Sequence, residues 1–312
     1  MTIPQGLSES GWPYLPRIPR AQRPVVRWPG DARIAFWIAP NIEFYELYPP
    51  VNPVRASWPR PAPDILNYSW RDYGNRVGVW RCLEVFDRHK VTGSVSLNAA
   101  MCERLPEVVA EFVERGWELF YHGLYNTRYA FGQSEAQELA DIESSCRLIT
   151  RLSGEPVRGF LAPALTYTEA SLRVARQAGI DYVFDLFRED EPFPLNPALG
   201  RMLSVPYQVE LNDFHHLVMG GLTPDRYFEQ FKAHFDRLYR EGEASGKVVG
   251  LPLHPYVIGS PHYIGVLNEM LRYVSEHDHV WHARADQIAD WYFANVYEEA
   301  VAEIETATGK AT

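Results

Sequence analysis

Short apolar runs alternate with helix-like segments about every 30 residues along this chain, and this spacing constrains the fold more than any other feature. Each run has the length of a buried strand, and each helix-like segment carries apolar residues three to four positions apart. Strands and helices that alternate in this way form parallel sheets with right-handed crossovers. About seven such units follow one another without a proline- and glycine-rich linker. The sequence therefore predicts an α/β protein with one incomplete or distorted (β/α) barrel.

The apolar runs place the predicted strands at 34–42, 91–97, 117–121, 159–162, 182–184, 203–205, 248–253 and 280–282. Helical spacing predicts helices between them, including one at 76–89 and a closing helix at 285–301. A capping box formed by Ser134 and Gln137 marks the start of another helix, which Gly154 ends. These elements together assign a single catalytic domain to residues 31–302.

Segments outside these elements carry much of the proline. Residues 1–30 are predicted to form an extended arm, because proline blocks regular helix, and the arm is expected to wrap its own domain or a neighbouring subunit. A second proline-rich segment, at 45–70, is interpreted either as a lid or as an oligomer contact. The loop at 188–200 is expected to help select the substrate. The tail at 303–312 is expected to fray.

The balance of charge restricts the partners. The formal net charge is −10 at pH 7, whereas nucleic acids and anionic membranes attract basic patches, so neither is expected as the main partner. No run of eighteen apolar residues is present, and the first residues lack the pattern of a signal peptide. The three cysteines have no CxxC spacing, which favours reduced thiols in the cytoplasm.

Three ionisable residues follow apolar runs, which is how a (β/α) barrel assembles an active site at the carboxyl ends of its strands. Glu43 follows the first run, His122 precedes a glycine at the end of another, and His254 precedes a proline at the end of a third. Glu43 is the candidate general base, and we expect burial among aromatic neighbours to raise its pKa. His254 can exchange a proton during hydrolysis. Structural alternatives are an ion pair of Glu43 with Arg71 or Arg76 and histidines held by the backbone.

Other polar residues are candidates for substrate contacts. Arg76 lies in a polar segment before a predicted helix and can bind a carbonyl or carboxylate through paired N–H donors. The alternative is that this segment caps the helix through Asp72 or Asn75. Asp185 ends a predicted strand and is a candidate orienting acid. The adjacent His215 and His216 resemble a metal cluster, but neighbours on a strand point to opposite faces.

Several large enzyme classes leave no trace in the sequence. It contains no GxSxG elbow, no HExxH helix, no Walker loop and no dinucleotide fingerprint. A carboxylate with two imidazoles at one barrel mouth is therefore interpreted as a hydrolytic site, with or without a metal.

The chain resembles the polysaccharide deacetylase superfamily, the NodB-homology fold, and within it the branch of metal-independent allantoinases and cyclic-imide hydrolases. The resemblance covers about residues 30–292 and rests on the segments 41–43, 73–81, 116–123, 253–261 and 280–289. It implies a distorted seven-stranded (β/α) barrel, commonly assembled as a tetramer.

The metal site of that superfamily is only partly present. By resemblance, Glu43 matches the first acid of an Asp-Asp pair, but Phe44 replaces the second. His122 matches the first metal-binding histidine, whereas Asn126 stands in place of the second. The arginine of the third motif is absent where residues 161–164 stand. One imidazole does not hold a tetrahedral zinc, so no metal and no other cofactor is predicted, with a rewired site at Asp185, Asp213 or His215 as the alternative.

We therefore predict a hydrolase for a carbon–nitrogen bond in a small amide, imide or ureide, and we expect that substrate to be cyclic. The predicted catalytic residues are Glu43, His122 and His254, and the predicted substrate contacts are Tyr73, Arg76, Trp80, Asn126 and Asp185. The expected partners are that small substrate and further copies of the chain, as a tetramer or dimer. Two alternatives are a metal-dependent deacetylase of N-acetylated sugars and a catalytically inactive barrel.

Overall fold

The computed structural model describes residues 14–50 and 62–307. Within these ranges the strands are β1 Ile34–Ile42, β2 Ser94–Leu97, β3 Glu118–Tyr121, β4 Gly159–Phe160, β5 Tyr182–Val183, β6 Phe193–Pro194, β7 Leu203–Ser204, β8 Lys247–Leu253 and β9 Val280–His282. The α-helices there are α1 Ile65–Tyr73, α2 Val79–His89, α3 Met101–Arg104, α4 Pro106–Glu114, α5 Glu135–Ser153, α6 Ser171–Gln177, α7 Pro224–Glu241, α8 Ile264–Ser275, α9 Ala285–Asn295 and α10 Tyr297–Ala307.

Seven of the strands run parallel in the order β8-β1-β2-β3-β4-β5-β7, which confirms the predicted fold class. The described chain contains two further strands. β6 pairs antiparallel with β7, and it arises within the segment that was expected to be the loop 188–200. β9 pairs with the first residues of β1, and β2 pairs with the last two, Asn41 and Ile42, along the same edge of β1.

Large side chains fill the inside of the curled sheet. β1 is buried along its whole length, as expected for a strand covered on both faces. Trp37 of β1 donates from Nε1 to the carbonyl oxygen of Pro206 at 3.0 Å, and its ring lies 5.0 Å from that of Phe184. Gly250 of β8 makes room for it, since a Cβ there would meet the Trp37 Nε1 at 2.6 Å. The interior is therefore a packed core, with the site at one end of it.

Helix starts and stops follow local chemistry where the sequence has clear signals. The predicted capping box at Ser134 is present, with Gln137 bonding back to the Ser134 backbone. Gly154 ends α5 with a φ of 79°, in the left-handed region.

The helix predicted at 76–89 differs from the one observed. It begins earlier, because α1 starts at Ile65, and a π-helical turn at Gly74–Gly78 joins α1 to α2. Part of the segment 45–70 is thus helical, while residues 51–61 of it lie outside the described residues. The closing helix is divided at Val296, and α10 continues to Ala307, past the point where the frayed tail was expected to begin.

The described part of the arm packs on its own chain. Val26 and Trp28 are buried, and the Trp28 Nε1 donates to the carbonyl oxygen of Lys247 at 3.0 Å. Ile18 packs against Ile304 of α10. Residues 1–13 lie outside the described residues, and within 14–50 and 62–307 no helix is long and apolar enough to cross a bilayer.

Candidate active site

Glu43, His122 and His254 meet at the carboxyl ends of β1, β3 and β8. The His122 Nε2 lies 3.5 Å from the Glu43 Oε1, and the His254 Nε2 lies 3.7 Å from the same oxygen. The three side chains are at most 10% exposed. The structure therefore brings together the acid and the two imidazoles that the sequence places at separate strand ends.

Asn98, which the sequence analysis did not select, fixes the spacing of these strand ends. It follows β2, between the strands that carry Glu43 and His122. Its Oδ1 accepts from the Phe44 backbone N–H at 2.8 Å, and its Nδ2 donates to the carbonyl oxygen of His122. The same signal, a polar residue directly after an apolar run, was available for Asn98.

The orientation of His122 is set by its backbone neighbours. Its Nδ1 lies 2.9 Å from the carbonyl oxygen of Leu161, and because a carbonyl only accepts, Nδ1 carries the proton. This contact turns Nε2 toward Glu43. Gly123 has a φ of 77°, and a Cβ there would meet the Pro163 Cγ at 2.3 Å, so the turn after the histidine requires glycine.

Asp213 completes the site from a segment without regular strand or α-helix. Its Oδ1 lies 2.7 Å from the His254 Nδ1, and its Oδ2 accepts from the His254 backbone N–H at 2.8 Å. The carboxylate is fully buried, before a π-helical turn at Phe214–Met219. It holds the ring so that Nε2 faces Glu43. The sequence analysis considered Asp213 only as an alternative metal ligand.

The charges at the site shift two pKa values in opposite directions. Burial alone would raise the pKa of Glu43, but hydrogen bonding to His122 and the charges of His254 and Arg71 lower it overall, so the expected rise is wrong. Burial alone would lower the pKa of His254, but the charge and hydrogen bond of Asp213 raise it overall. The arrangement therefore favours an ionised Glu43 beside a protonated His254.

Asn126 lies at the same mouth. Its Nδ2 donates to the Tyr45 hydroxyl at 2.7 Å, while its Oδ1 is buried without a hydrogen-bond partner. The Glu43 Oε2 is likewise buried and without a partner. A buried acceptor without a donor costs free energy, so the two oxygens favour a ligand or water that donates to them.

Arg76 does not lie with this group. Its side chain is 68% exposed, and its Nε donates to the Asp72 Oδ2 at 2.5 Å. The buried guanidinium that interacts electrostatically with Glu43 belongs to Arg71, one helical turn earlier. The π-helical turn between α1 and α2 packs against the loop that follows His254.

The remaining predicted substrate contacts are Tyr73, Trp80 and Asp185. The Tyr73 hydroxyl accepts from the Arg81 Nη1 at 2.6 Å, and Trp80 is 38% exposed on α2. Asp185 accepts from the Ala162 backbone N–H at 2.9 Å and from the Tyr167 hydroxyl at 2.7 Å. Burial raises the pKa of Asp185 to about 7. The hydrogen bonds of Tyr73 and Asp185 are thus with Arg81, Tyr167 and the backbone of Ala162.

The described donors do not fit a bound zinc ion. Within 14–50 and 62–307 no group of three or more His, Cys, Asp and Glu side chains is placed to hold a metal. Zinc in proteins takes imidazole, carboxylate and thiolate ligands, whereas Asn126 presents an amide whose Nδ2 donates to the Tyr45 hydroxyl at 2.7 Å.

Comparisons with known proteins agree with this architecture. The model of the family described as polysaccharide deacetylase matches residues 68–183, which include His122 and Asn126. A Schizosaccharomyces pombe protein assigned as a polysaccharide deacetylase is 30% identical over 256 residues, spanning 75% of this chain and 78% of the relative.

Solved structures extend the likeness over nearly the whole chain. A crystal structure from Pseudomonas aeruginosa PAO1, assigned as a polysaccharide deacetylase, is 28% identical with a TM-score of 0.80, covering 94% of this chain and 99% of that one. The crystal structure of PuuE allantoinase is 27% identical with a TM-score of 0.79, covering 95% of this chain and 99% of that one.

Proposed function

We propose a function from one premise: the chain belongs to the polysaccharide deacetylase family. Membership supports hydrolysis of a carbon–nitrogen bond other than a peptide bond. Within that class, we infer that the substrate is a small cyclic amide, imide or ureide and that no metal takes part.

The observation that carries this proposal is the environment of Glu43. One oxygen of its carboxylate faces both imidazoles, and the other is buried without a partner. The free oxygen can accept a proton from water, whose oxygen then attacks the carbonyl carbon. The carbon–nitrogen bond breaks as the His254 Nε2–H donates its proton to the leaving nitrogen. In a cyclic substrate the product is one ring-opened molecule that carries a carboxylic acid and an amine, amide or urea nitrogen, and the proton held by Glu43 returns to His254.

The remaining acceptor at the mouth suits this substrate class. Amides, imides and ureides carry N–H donors beside their carbonyl groups, and the unpartnered Asn126 Oδ1 can accept one of them. His122 keeps its ring fixed through the Leu161 carbonyl oxygen and steadies the carboxylate of Glu43. These contacts orient the scissile bond above the free carboxylate oxygen.

The small size of the substrate is supported by burial. Glu43, His122 and Asn126 are each at most 4% exposed, whereas a polymer chain needs an open groove across the catalytic groups. The names of several relatives favour the second candidate, a metal-dependent deacetylase of N-acetylated sugars. Its metal would need ligands at Phe44 and Asn126, where this chain has neither a carboxylate nor an imidazole.

The test is a substrate panel applied to the purified protein. Hydantoins, dihydropyrimidines, cyclic imides and allantoin are compared with N-acetylated chito-oligosaccharides. The measured products are the ring-opened acid from the small rings and acetate from the oligosaccharides. We expect turnover on small rings and none on the oligosaccharides. Zinc-dependent release of acetate from the oligosaccharides would establish the second candidate, and a lack of turnover on every compound would support an inactive barrel.

The proposal also covers the cellular compartment and the assembly state of the protein. We propose a cytoplasmic protein, because the three cysteines are free, as is usual in a reducing compartment. We also propose a homo-oligomer, because apolar side chains such as Ile65, Leu66 and Met219 are exposed on this chain.

A further inference from the structure

Arg71 is a buried cation enclosed by aromatic rings. It is 7% exposed, and its guanidinium carbon lies 4.5 Å from the ring centre of Tyr45 and 4.7 Å from that of Tyr256. Trp70 and Phe214 complete the enclosure, at 4.9 and 5.7 Å. Ring faces stabilise a cation, but they leave its N–H donors unsatisfied.

The hydrogen bonds of Arg71 leave one of its donors without a partner. Nη1 donates to the Asn67 Oδ1 at 2.8 Å, and the Tyr45 side chain is a further partner. The Nε–H is buried and has no acceptor. Among residues 14–50 and 62–307, no carboxylate oxygen lies within 4.0 Å of this guanidinium. Buried charges are usually paired, so Arg71 lacks the anionic partner that a buried cation generally has.

The enclosure borders the catalytic group directly. The ring of Tyr256 lies 5.3 Å from that of His254, and the ring of Phe214 lies 6.0 Å from it. The Tyr45 hydroxyl accepts from the Asn126 Nδ2 on the other side. Arg71 and Glu43 interact electrostatically without forming an ion pair within 4.0 Å. Two of the rings that enclose Arg71 thus also border His254, so the guanidinium lies beside the proposed catalytic group.

We propose that Arg71 binds a carboxylate carried by the substrate and so sets the specificity of the hydrolytic site. The inference rests on the proposed function and narrows its substrate class to cyclic amides or ureides with a carboxylate substituent. A guanidinium presents parallel N–H groups that match the two oxygens of a carboxylate, and the Arg71 Nε–H is available for one of them. Flat aromatic walls favour a planar anion over a tetrahedral one.

The test compares binding of matched ligand pairs by calorimetry. Hydantoin is paired with hydantoin acetic acid, and dihydrouracil is paired with dihydroorotate, so that each pair differs in a carboxylate. The proteins are the wild type, Arg71→Met, which keeps an apolar contact with the rings, and Arg76→Met as the matched control on the exposed side. Circular dichroism and melting temperature verify that each variant is folded.

We expect the carboxylated member of a pair to bind the wild type about 10- to 100-fold more tightly than the neutral member. Arg71→Met should abolish that preference, Arg71→Lys should restore part of it, and Arg76→Met should keep it. Equal binding of both members to the wild type, binding of neither member of any pair, or an unchanged preference in Arg71→Met would overturn the inference.

Binding and turnover separate the two proposals. A carboxylate preference that depends on Arg71, without turnover of any ligand, would sustain the role of Arg71 and reject the hydrolase. Turnover of the neutral ring at the same efficiency as its carboxylated partner would sustain the hydrolase and reject the role of Arg71. A purely structural Arg71 would lower the melting temperature when it is replaced and leave the ligand preference intact.

Discussion

The Asp213 Oδ1 lies 2.7 Å from the His254 Nδ1, and both groups are buried. This contact raises the pKa of the imidazole against the opposing effect of burial, and it holds the ring in one orientation. In the proposed reaction Asp213 is therefore a positioning residue, because it would act on the substrate only by way of His254.

Replacing Asp213 by asparagine should weaken the proton donor. We expect kcat to fall by about 100-fold with little change in KM, and the alkaline limb of the pH–rate profile to move to lower pH. Full pH–rate profiles measure both effects. Asp278→Asn changes an exposed carboxylate and should leave the profile as in the wild type. An unchanged alkaline limb in Asp213→Asn would remove the residue from this role.

Replacing Glu43 by glutamine should abolish turnover without unfolding the protein. Glutamine has nearly the same volume but cannot accept a proton from water, so kcat/KM should fall by about 100- to 10,000-fold. Steady-state kinetics and a melting curve are the measurements. Glu84→Gln, at an exposed position on α2, is the control. Turnover by Glu43→Gln near the wild-type rate would assign the base to another group.

The two shifted pKa values predict a bell-shaped dependence of kcat/KM on pH. On the acid side, activity should fall only below pH 4.5, because Glu43 gains a proton, and can no longer act as a base, only as the pH falls through its lowered pKa. It should fall on the alkaline side above pH 6.5, since His254 loses its proton only above its usual range. Initial rates on the substrate found in the panel give the profile. A single limb would show that only one of the two groups titrates in the reaction.

The same shifts affect stability with opposite signs. Stabilisation from Glu43 is fully present above pH 4.5 and is lost as the pH falls through its lowered pKa. Stabilisation from His254 is fully present below pH 6.5 and is lost as the pH rises through its raised pKa. The loss of melting temperature in Asp213→Asn relative to the wild type should therefore be largest below pH 6.5 and should shrink as the pH rises through the raised pKa of His254.

Gly78 allows the start of α2 to approach the loop after His254. A Cβ at Gly78 would meet the carbonyl oxygen of Pro255 at 2.0 Å, so Gly78→Ala must displace backbone beside the proton donor. We expect a loss of about 1–3 kcal/mol in unfolding free energy, together with reduced kcat. Gly265→Ala is the matched control, because a Cβ at Gly265 in α8 meets nothing within 4 Å. Urea denaturation compares the two, and equal stabilities would refute the close approach.

Removal of divalent metals should leave turnover unchanged. By resemblance, Phe44 and Asn126 occupy the positions where the superfamily places metal ligands. Among the described residues no group of three or more His, Cys, Asp and Glu side chains is placed to hold a metal. The measurement is activity after dialysis against a chelator and after addition of zinc, alongside metal analysis of the protein. Activity that follows the zinc content would contradict the metal-independent reaction.

The strand ends could be predicted because each follows the same simple pattern. Glu43, His122 and His254 all stand directly after a buried apolar run, and parallel strands bring such ends to one edge. Asp213 could not be predicted from this pattern, because it precedes a π-helical turn in a segment without a regular apolar period. No spacing in the sequence relates it to His254.

The choice between two arginines depended on where a helix begins. The apolar spacing in the sequence predicts a helix that begins at Arg76, and Arg71 then falls in an irregular segment. In the structure α1 already starts at Ile65, so Arg71 lies on a buried face while Arg76 follows on an exposed one. The π-helical turn between them changes the rotation from residue to residue, and periodicity cannot reveal such a turn.

The central position of β1 has a consequence for synthesis on the ribosome. Ile34 pairs with Lys247 and Pro40 pairs with Leu253, so one edge of the first strand stays bare until most of the chain has been translated. Contacts this distant in sequence form slowly, and an apolar strand with an unpaired edge can associate with other nascent chains before β8 is synthesised. Cellular yield should therefore depend on chaperones that shield the emerging N-terminal third.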